Sequence, residues 1–177
     1  MKSGRYGMLP LTKYKNTNCN RLNMLPKLNL PSYSFRVRSD ADKTYIFDII
    51  RKKFLLLTPE EWVRQNFIRY LISEKSFPAA LMVIERGLKV NGNPFRADLL
   101  ICGRSGAPLL VVEFKAPEVK ISQPAFDQIA RYNMKFRVPY LIVSNGISHF
   151  CCQIDFEAEN YVFLKEIPDF GDLIAGE

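Results

Sequence analysis

Two apolar runs, Leu99–Cys102 and Leu109–Val112, stand on either side of the turn G-R-S-G-A-P, and no other feature constrains the fold as tightly. Short apolar runs bounded by Gly and Pro read as buried strands. Folded back as a hairpin on residues 103–108, they fix a register in which paired numbers sum to 211, so Cys102 faces Leu109 and Asp98 faces Glu113. Directly opposed residues project to one side with Cβ atoms roughly 5 Å apart. Lys115 lies two residues beyond Glu113 and shares that side at roughly 7 Å, because strand side chains alternate.

Two opposed carboxylates repel each other, at a cost of a few tenths to about 1 kcal/mol on a surface and more when half buried. A divalent cation would offset that, and a donor set of hard oxygens points to Mg2+ or Mn2+. Lys115 as counter-ion in a structural cluster is the alternative. A structural pair needs one acid and one base, however, and here a second acid enters an apolar strand.

The flanking pattern predicts a mixed sheet with helices against it. Phe35–Arg38 and Thr44–Phe47 alternate like two short strands around S-D-A-D-K. T-P-E-E-W-V-R-Q-N-F-I-R-Y-L-I then opens a helix: Thr58 suits the N-cap, Pro59 the first helical position, and Glu61 the far side of a capping box. Leu81–Val90 reads as a strand followed by an N-G-N-P turn. A second helix spans about Pro124 to Lys135 with Phe126, Ile129, Ala130 and Asn133 on one face. V-P-Y-L-I-V-S is a buried strand, and Asn145-Gly146 turns the chain toward S-H-F-C-C-Q-I. The order is helix, three strands, helix, strand.

Charge is unevenly spread over the chain of 177 residues. The formal total is +7, with +5 in residues 1–23, −6 in residues 155–177 and +8 between them. A body that is basic in its own right suits an anionic partner, of which nucleic acid is the commonest, although a solvated basic surface has the same composition. Residues 1–23 are polar and without periodicity and read as a basic flexible arm ahead of a single domain at 24–177, with Met24 an alternative start. No apolar run reaches the length of a membrane span and no signal-peptide pattern opens the chain, which points to a cytoplasmic protein with no membrane partner. Cys19, Cys102, Cys151 and Cys152 form no C-x-x-C pair; adjacent Cys151 and Cys152 would face opposite sides of a strand, so reduced, packed thiols are expected.

A third oxygen ligand would come from the first helix. At 100° per residue Glu60 falls within the stripe of Val63, Phe67 and Leu71, while Glu61 lies to one side with its capping role; a carboxylate favoured by the helix dipole is the other reading of Glu60. On the second helix Gln128 and Tyr132 are four residues apart and form a stripe beside the apolar face, which for an isolated pair reads equally as a solvated flank. Glu85, in V-I-E-R-G, is a spare ligand or an ion-pair partner of Arg86 or Lys89.

Together, D-(x14)-E-F-K, Q-I-A-R-Y on the following helix and P-E-E-W-V-R on the preceding one resemble the PD-(D/E)xK nuclease superfamily. Within it they are most similar to the N-terminal nuclease domain of type I restriction enzyme R subunits, in its small stand-alone form. The resemblance runs from about Leu28 to Asp169, with Ala97 in place of the proline that names the motif. It implies a restriction-endonuclease-like αβββαβ core, a central mixed sheet flanked by helices, and a Mg2+- or Mn2+-dependent DNA endonuclease. Asp98, Glu113 and the Phe114 carbonyl would hold the metal with Glu60 adding a helix carboxylate, Lys115 would orient the attacking water, and Gln128 and Tyr132 would form an accessory pair. Arg96, Lys115, Gln128, Arg131 and Tyr132 would contact DNA. The chemistry implied is in-line attack of water on a phosphodiester, with metal and lysine stabilising charge that develops on the phosphate.

No G-x-x-x-x-G-K-[ST] occurs, so ATP dependence would need another chain, such as an additional restriction or helicase subunit. Homodimerisation is left open. With His149 the sole histidine, nucleases built on paired histidines are excluded, and a Ser-His-Asp hydrolase would have to use that one residue. A binding module that kept the acids but cuts nothing, acting within a larger restriction or repair assembly, is the competing functional reading.

Overall fold

The computed structural model describes residues 25–84, 88–90 and 93–175. The basic arm, the Met24 start, Glu85 and Arg86 lie outside them, as does the Asn91-Gly92 half of the expected turn.

Eleven strands and three helices alternate along these residues. β1 (Val37–Asp40), β2 (Lys43–Asp48) and β3 (Lys53–Leu56) form an antiparallel sheet in that order. α1 (Pro59–Ser73) follows, then a single 3-10 turn at Ala79–Leu81 and β4 (Met82–Ile84). β5 (Leu88–Val90) and β6 (Asn93–Phe95) pair as a separate two-stranded ribbon. β7 (Leu99–Cys102), β8 (Pro108–Phe114), α2 (Gln123–Met134), β9 (Tyr140–Ser144), β10 (His149–Asp155), β11 (Asn160–Phe163) and α3 (Phe170–Leu173) complete the chain. The main sheet has the order β11-β10-β9-β8-β7-β4; β8 and β9 are parallel and the other neighbours antiparallel. α2 is the crossover that the parallel pair requires.

The pleat of this sheet divides the core in two. Leu99, Ile101, Leu110, Val112, Phe114, Ile142 and Cys151 pack with Val63, Phe67, Ile68 and Leu71 of α1. Leu100, Val111, Leu141, Val143 and Cys152 pack on the other side with Phe126 and Ala130 of α2. The result is a mixed α/β arrangement with one helix on each face of the sheet. Cys151 and Cys152 do fall on opposite faces, and burial pushes both thiols up to about 12, as expected of packed, unreactive cysteines.

The hairpin register is the expected one over most of its length: Leu99, Leu100 and Ile101 face Val112, Val111 and Leu110. Cys102 faces Pro108 and not Leu109, because a bulge between Ile101 and Cys102 absorbs one residue next to the turn. The turn is tightened by the Gly103 amide donating to the Ala107 carbonyl at 2.8 Å. Leu81–Val90, expected as one strand, supplies β4 and β5 in two different sheets. β3, β6, β11 and α3 went unanticipated, and Asn93-Pro94, expected in the turn, belong to β6.

α1 begins as its sequence dictates, with the Thr58 hydroxyl accepting the Glu61 amide at 3.0 Å and Pro59 in the first turn. The capping box does not close, because the Thr58 amide donates to the Leu56 carbonyl and the Glu61 carboxylate is used elsewhere. More of α1 is buried than a single stripe, since Glu61, Arg64, Gln65 and Asn66 join the apolar residues. Residues 26–51 cover its outer flank: Trp62 donates to the Pro26 carbonyl, its ring meets Phe35 edge-on at 5.3 Å, and Ile49 and Ile50 pack against the core.

Candidate active site

The acids enter the site where β7 begins and β8 ends. With Leu99 opposite Val112, the next pair outward is Asp98 and Glu113. Asp98 precedes the first residue of β7, and its side chain takes over the ladder there: Oδ2 accepts the Phe114 amide at 2.8 Å. A strand residue's N–H and C=O project to the same side, so the Phe114 carbonyl lies toward Asp98 as well. On its other side Phe114 continues the parallel pairing, and the Lys115 amide donates to the Ser144 carbonyl at 2.9 Å, which keeps Lys115 extended one residue beyond β8.

Glu113 is mostly buried, and its carboxyl is pushed up to about 8. Desolvation is the largest cause, followed by the charge of Asp98 and a hydrogen bond to it; Lys115 opposes the shift and Glu60 adds to it. The shift favours the protonated carboxyl of Glu113 at neutral pH, beside Asp98.

The residue that sequence reasoning missed is Arg64. Its buried guanidinium reaches Asp98 Oδ1 at 3.3 Å, Glu60 Oε1 at 3.3 Å and Glu61 Oε2 at 2.5 Å. Glu61 in turn accepts from Arg51 at 3.0 Å and from Gln65 at 2.7 Å, and Arg51 is paired with the fully buried Asp48 at 2.5 Å. Charges of alternating sign thus run from Asp48 through Arg51, Glu61 and Arg64 to Asp98. The signal was present in the sequence: Arg64 stands three residues after Glu61 and four after Glu60, and it adjoins Val63 on the apolar side.

This network reverses the expected burial of the two helix acids. Glu61, expected at the side of the helix, is buried, while the Glu60 side chain is 44% exposed. The cause is Arg51 and Arg64, two guanidinium groups drawn into the protein, which require a buried carboxylate between them. Glu60 remains close enough to Glu113 to raise its pKa.

Gln128, Arg131 and Tyr132 are exposed on α2, where the Tyr132 ring leans on Phe136 at 5.0 Å, and Arg96 is exposed two residues before Asp98. His149 is not part of a hydrolytic triad. Its Nε2 donates to the Asn29 carbonyl at 3.0 Å, so Nδ1 is the acceptor for the Ser144 hydroxyl at 2.8 Å. Ser144 is fully buried and also accepts the Gly146 amide, and no acid stands behind the imidazole among the described residues. The pair fastens the chain at Asn29 to the β9–β10 turn. Gly146 itself, at φ +81°, has no room for a Cβ, which would meet Leu28 at 2.7 Å.

Among the described residues no group of three or more Asp, Glu, His or Cys side chains is arranged to hold a metal. Asp98 and Glu113 are nevertheless two adjacent carboxyls with a backbone carbonyl beside them. A small hard cation that keeps several waters and takes one or two protein carboxylates fits that donor set. Among the described residues, no helix is long and apolar enough to cross a membrane.

Comparison with known proteins gives a structural likeness and a family. A solved fragment of a putative HsdR subunit of a type I restriction enzyme from Vibrio vulnificus YJ016 superposes with a TM-score of 0.48 at 20% identity, covering 67% of this chain and 25% of that one. This chain therefore corresponds to about a quarter of that chain's length. No curated protein matches the sequence. The family model described as type I restriction enzyme R protein N terminus matches residues 59–168, a span that includes Glu60, Arg64, Asp98, Glu113, Lys115, Gln128 and Tyr132 and more than half of the chain. The protein belongs to the type I restriction enzyme R protein N-terminus family.

Proposed function

We propose that this domain is a metal-dependent DNA nuclease of the PD-(D/E)xK superfamily with a restriction-endonuclease-like core. The observation that carries this reading is Glu113: a carboxyl held next to Asp98, its pKa raised to about 8, with a lysine two residues on, just beyond the end of the strand. Burying two acids face to face is costly to a fold, and the cost disappears when a cation sits between them.

Asp98, Glu113 and the Phe114 carbonyl would hold Mg2+ or Mn2+, with Glu60 adding a carboxylate beside them. Bound there, the ion would neutralise charge on the scissile phosphate. The Phe114 amide and Arg64 fix both oxygens of Asp98, so the ligand is oriented before substrate arrives. Lys115, held extended by Ser144, would orient the attacking water and stabilise the phosphorane-like charge. Arg96, Gln128, Arg131 and Tyr132 would contact the DNA backbone, and the overall charge of +7 would draw the substrate in. As a family of R-subunit N termini, the group points to DNA and to further restriction or helicase subunits as partners.

A second reading rests on Arg64. A guanidinium on Asp98 already supplies the counter-charge of a structural cluster, and on that view the chain is a non-catalytic nucleic-acid-binding module of a larger restriction or repair assembly. The two readings part on one experiment. Purified protein is incubated with supercoiled plasmid and Mg2+ or Mn2+, with a chelator control and Asp98→Ala in parallel. Nicked or linear product that requires both metal and Asp98 supports the nuclease; intact plasmid with either metal leaves the binding module.

A further inference from the structure

The three-stranded sheet lies before the family match, which starts at residue 59, and the acid pair does not use its outer face. Along β2 Thr44, Ile46 and Asp48 are buried, which puts Lys43, Tyr45 and Phe47 on the other side. Pairing sets Arg38 and Leu56 on either side of Tyr45 and Phe54 beside Phe47. The Phe47 amide donates to the Arg36 carbonyl at 2.9 Å, which extends the β1–β2 ladder by one row and places Arg36 there. Two cross-strand rows result, Arg36–Phe47–Phe54 and Arg38–Tyr45–Leu56.

The arginines sit on the rings. The Arg36 guanidinium lies 4.2 Å from the Phe47 centroid, and that of Arg38 lies 4.8 Å from Phe54 and 5.1 Å from Tyr45. Both arginines are exposed, the three rings are partly so, and Leu56 is 47% exposed. Cross-strand aromatic pairs stabilise a small sheet without help. Two like-charged guanidinium groups two residues apart on the same face gain further from an anion between them. Asp40, also on this face, stands opposite Lys43 in the strand register, one row beyond Arg38 and Tyr45 on the same side.

We propose that this face binds single-stranded nucleic acid. Interleaved cations and aromatic rings are the combination that tracks a phosphate backbone while bases stack, and guanidinium planes serve as stacking surfaces alongside the rings. Base faces are open to such contact only in an unpaired strand, so duplex is the poorer ligand. Phosphates pair with Arg36 and Arg38, and bases stack over Tyr45, Phe47 and Phe54. The site is independent of the nuclease reading and requires no metal.

The test is fluorescence anisotropy of the full chain with a labelled oligothymidine and with a duplex of equal length, in chelator, over a salt series. Arg36→Gln/Arg38→Gln should weaken oligothymidine binding about tenfold and reduce the salt slope by about 1.4, the share of two phosphates on a single strand. Phe54→Ala should weaken it roughly 5- to 100-fold with the salt slope unchanged. Thermal melts monitor folding; should Phe54→Ala unfold, the exposed arginine pair still decides. The double variant should keep the metal binding of wild type, so loss here is separable from failure at Asp98 and Glu113. An unchanged affinity and salt slope in the double variant overturns the proposal. So does a wild type that prefers duplex, or one that binds phosphatidylserine vesicles through these arginines and ignores the oligonucleotide.

Discussion

Replacing Glu113 by glutamine should make the protein more stable at alkaline pH, although it alters a residue at the heart of the candidate site. The native carboxyl titrates near 8, against an ordinary value of 4.5, so between these limits the folded state binds a proton that the unfolded state has released. Stability therefore falls as pH rises through that window, and the loss is complete above pH 8. At about 1.4 kcal/mol per unit the shift sets a ceiling near 5 kcal/mol, and partial solvent contact at Glu113 brings the expectation to about 2–3 kcal/mol. The introduced amide keeps a donor for Asp98 and carries no charge, so it reproduces the protonated state at every pH. For a chain of this length the gain is about 5–10 °C in Tm. Thermal melts of wild type and Glu113→Gln in chelator from about pH 3.5 to 9 measure it: the curves should come together below the ordinary value of 4.5 and separate progressively toward pH 8. Parallel curves across the range would refute the raised Glu113 carboxyl and, with it, the electrostatic argument for a cation.

Three other substitutions and one deletion probe the site from different sides. Lys115→Ala should abolish cleavage with little change in metal affinity, because it removes a contact to phosphate and leaves the ligands in place; cleavage assays paired with metal titration check this. Asp98→Ala should lose both, while binding DNA as tightly as wild type or more so in a filter-binding assay, since a negative charge has left the surface. Arg64→Met should destabilise by about 3–5 kcal/mol in chemical denaturation, because Glu61 and Asp98 lose a buried partner. Removing residues 1–23 takes away +5 but leaves +8 in the body, so DNA affinity should fall modestly and keep a steep salt dependence; complete loss at low salt would make the arm the binding element.

What could be read from the sequence were those features set by local period and turn chemistry. Asp98 opposite Glu113 followed from counting outward from Gly103–Pro108, and α1 from Thr58-Pro59. The bulge at Cys102 was hidden because it depends on how the turn closes on itself and not on which residues are apolar. Lys53–Leu56 was passed over as a lead into the helix, since K-F-L-L has no alternation that a short run can display, and only its pairing with β2 reveals a strand. Glu61 is buried and Glu60 partly exposed, the reverse of expectation, for a tertiary reason. The 100° rule assumes one buried face, whereas residues 26–51 cover a second side of α1 and bring Arg51 to Glu61. Arg64 had a legible spacing to both acids, but spacing does not distinguish a surface ion pair from a buried one.

The central claim is that the Asp98–Glu113 pair is a cation site and not a self-contained charge cluster. Isothermal titration of wild type and Asp98→Ala with Mn2+, at about pH 6.5 and about pH 8.5, tests it directly. The account predicts a single site per wild-type chain, weaker at the lower pH because the ion must displace the Glu113 proton, and no site in Asp98→Ala. Absence of binding by wild type at millimolar Mn2+ with or without DNA, or equal binding by Asp98→Ala, would contradict it.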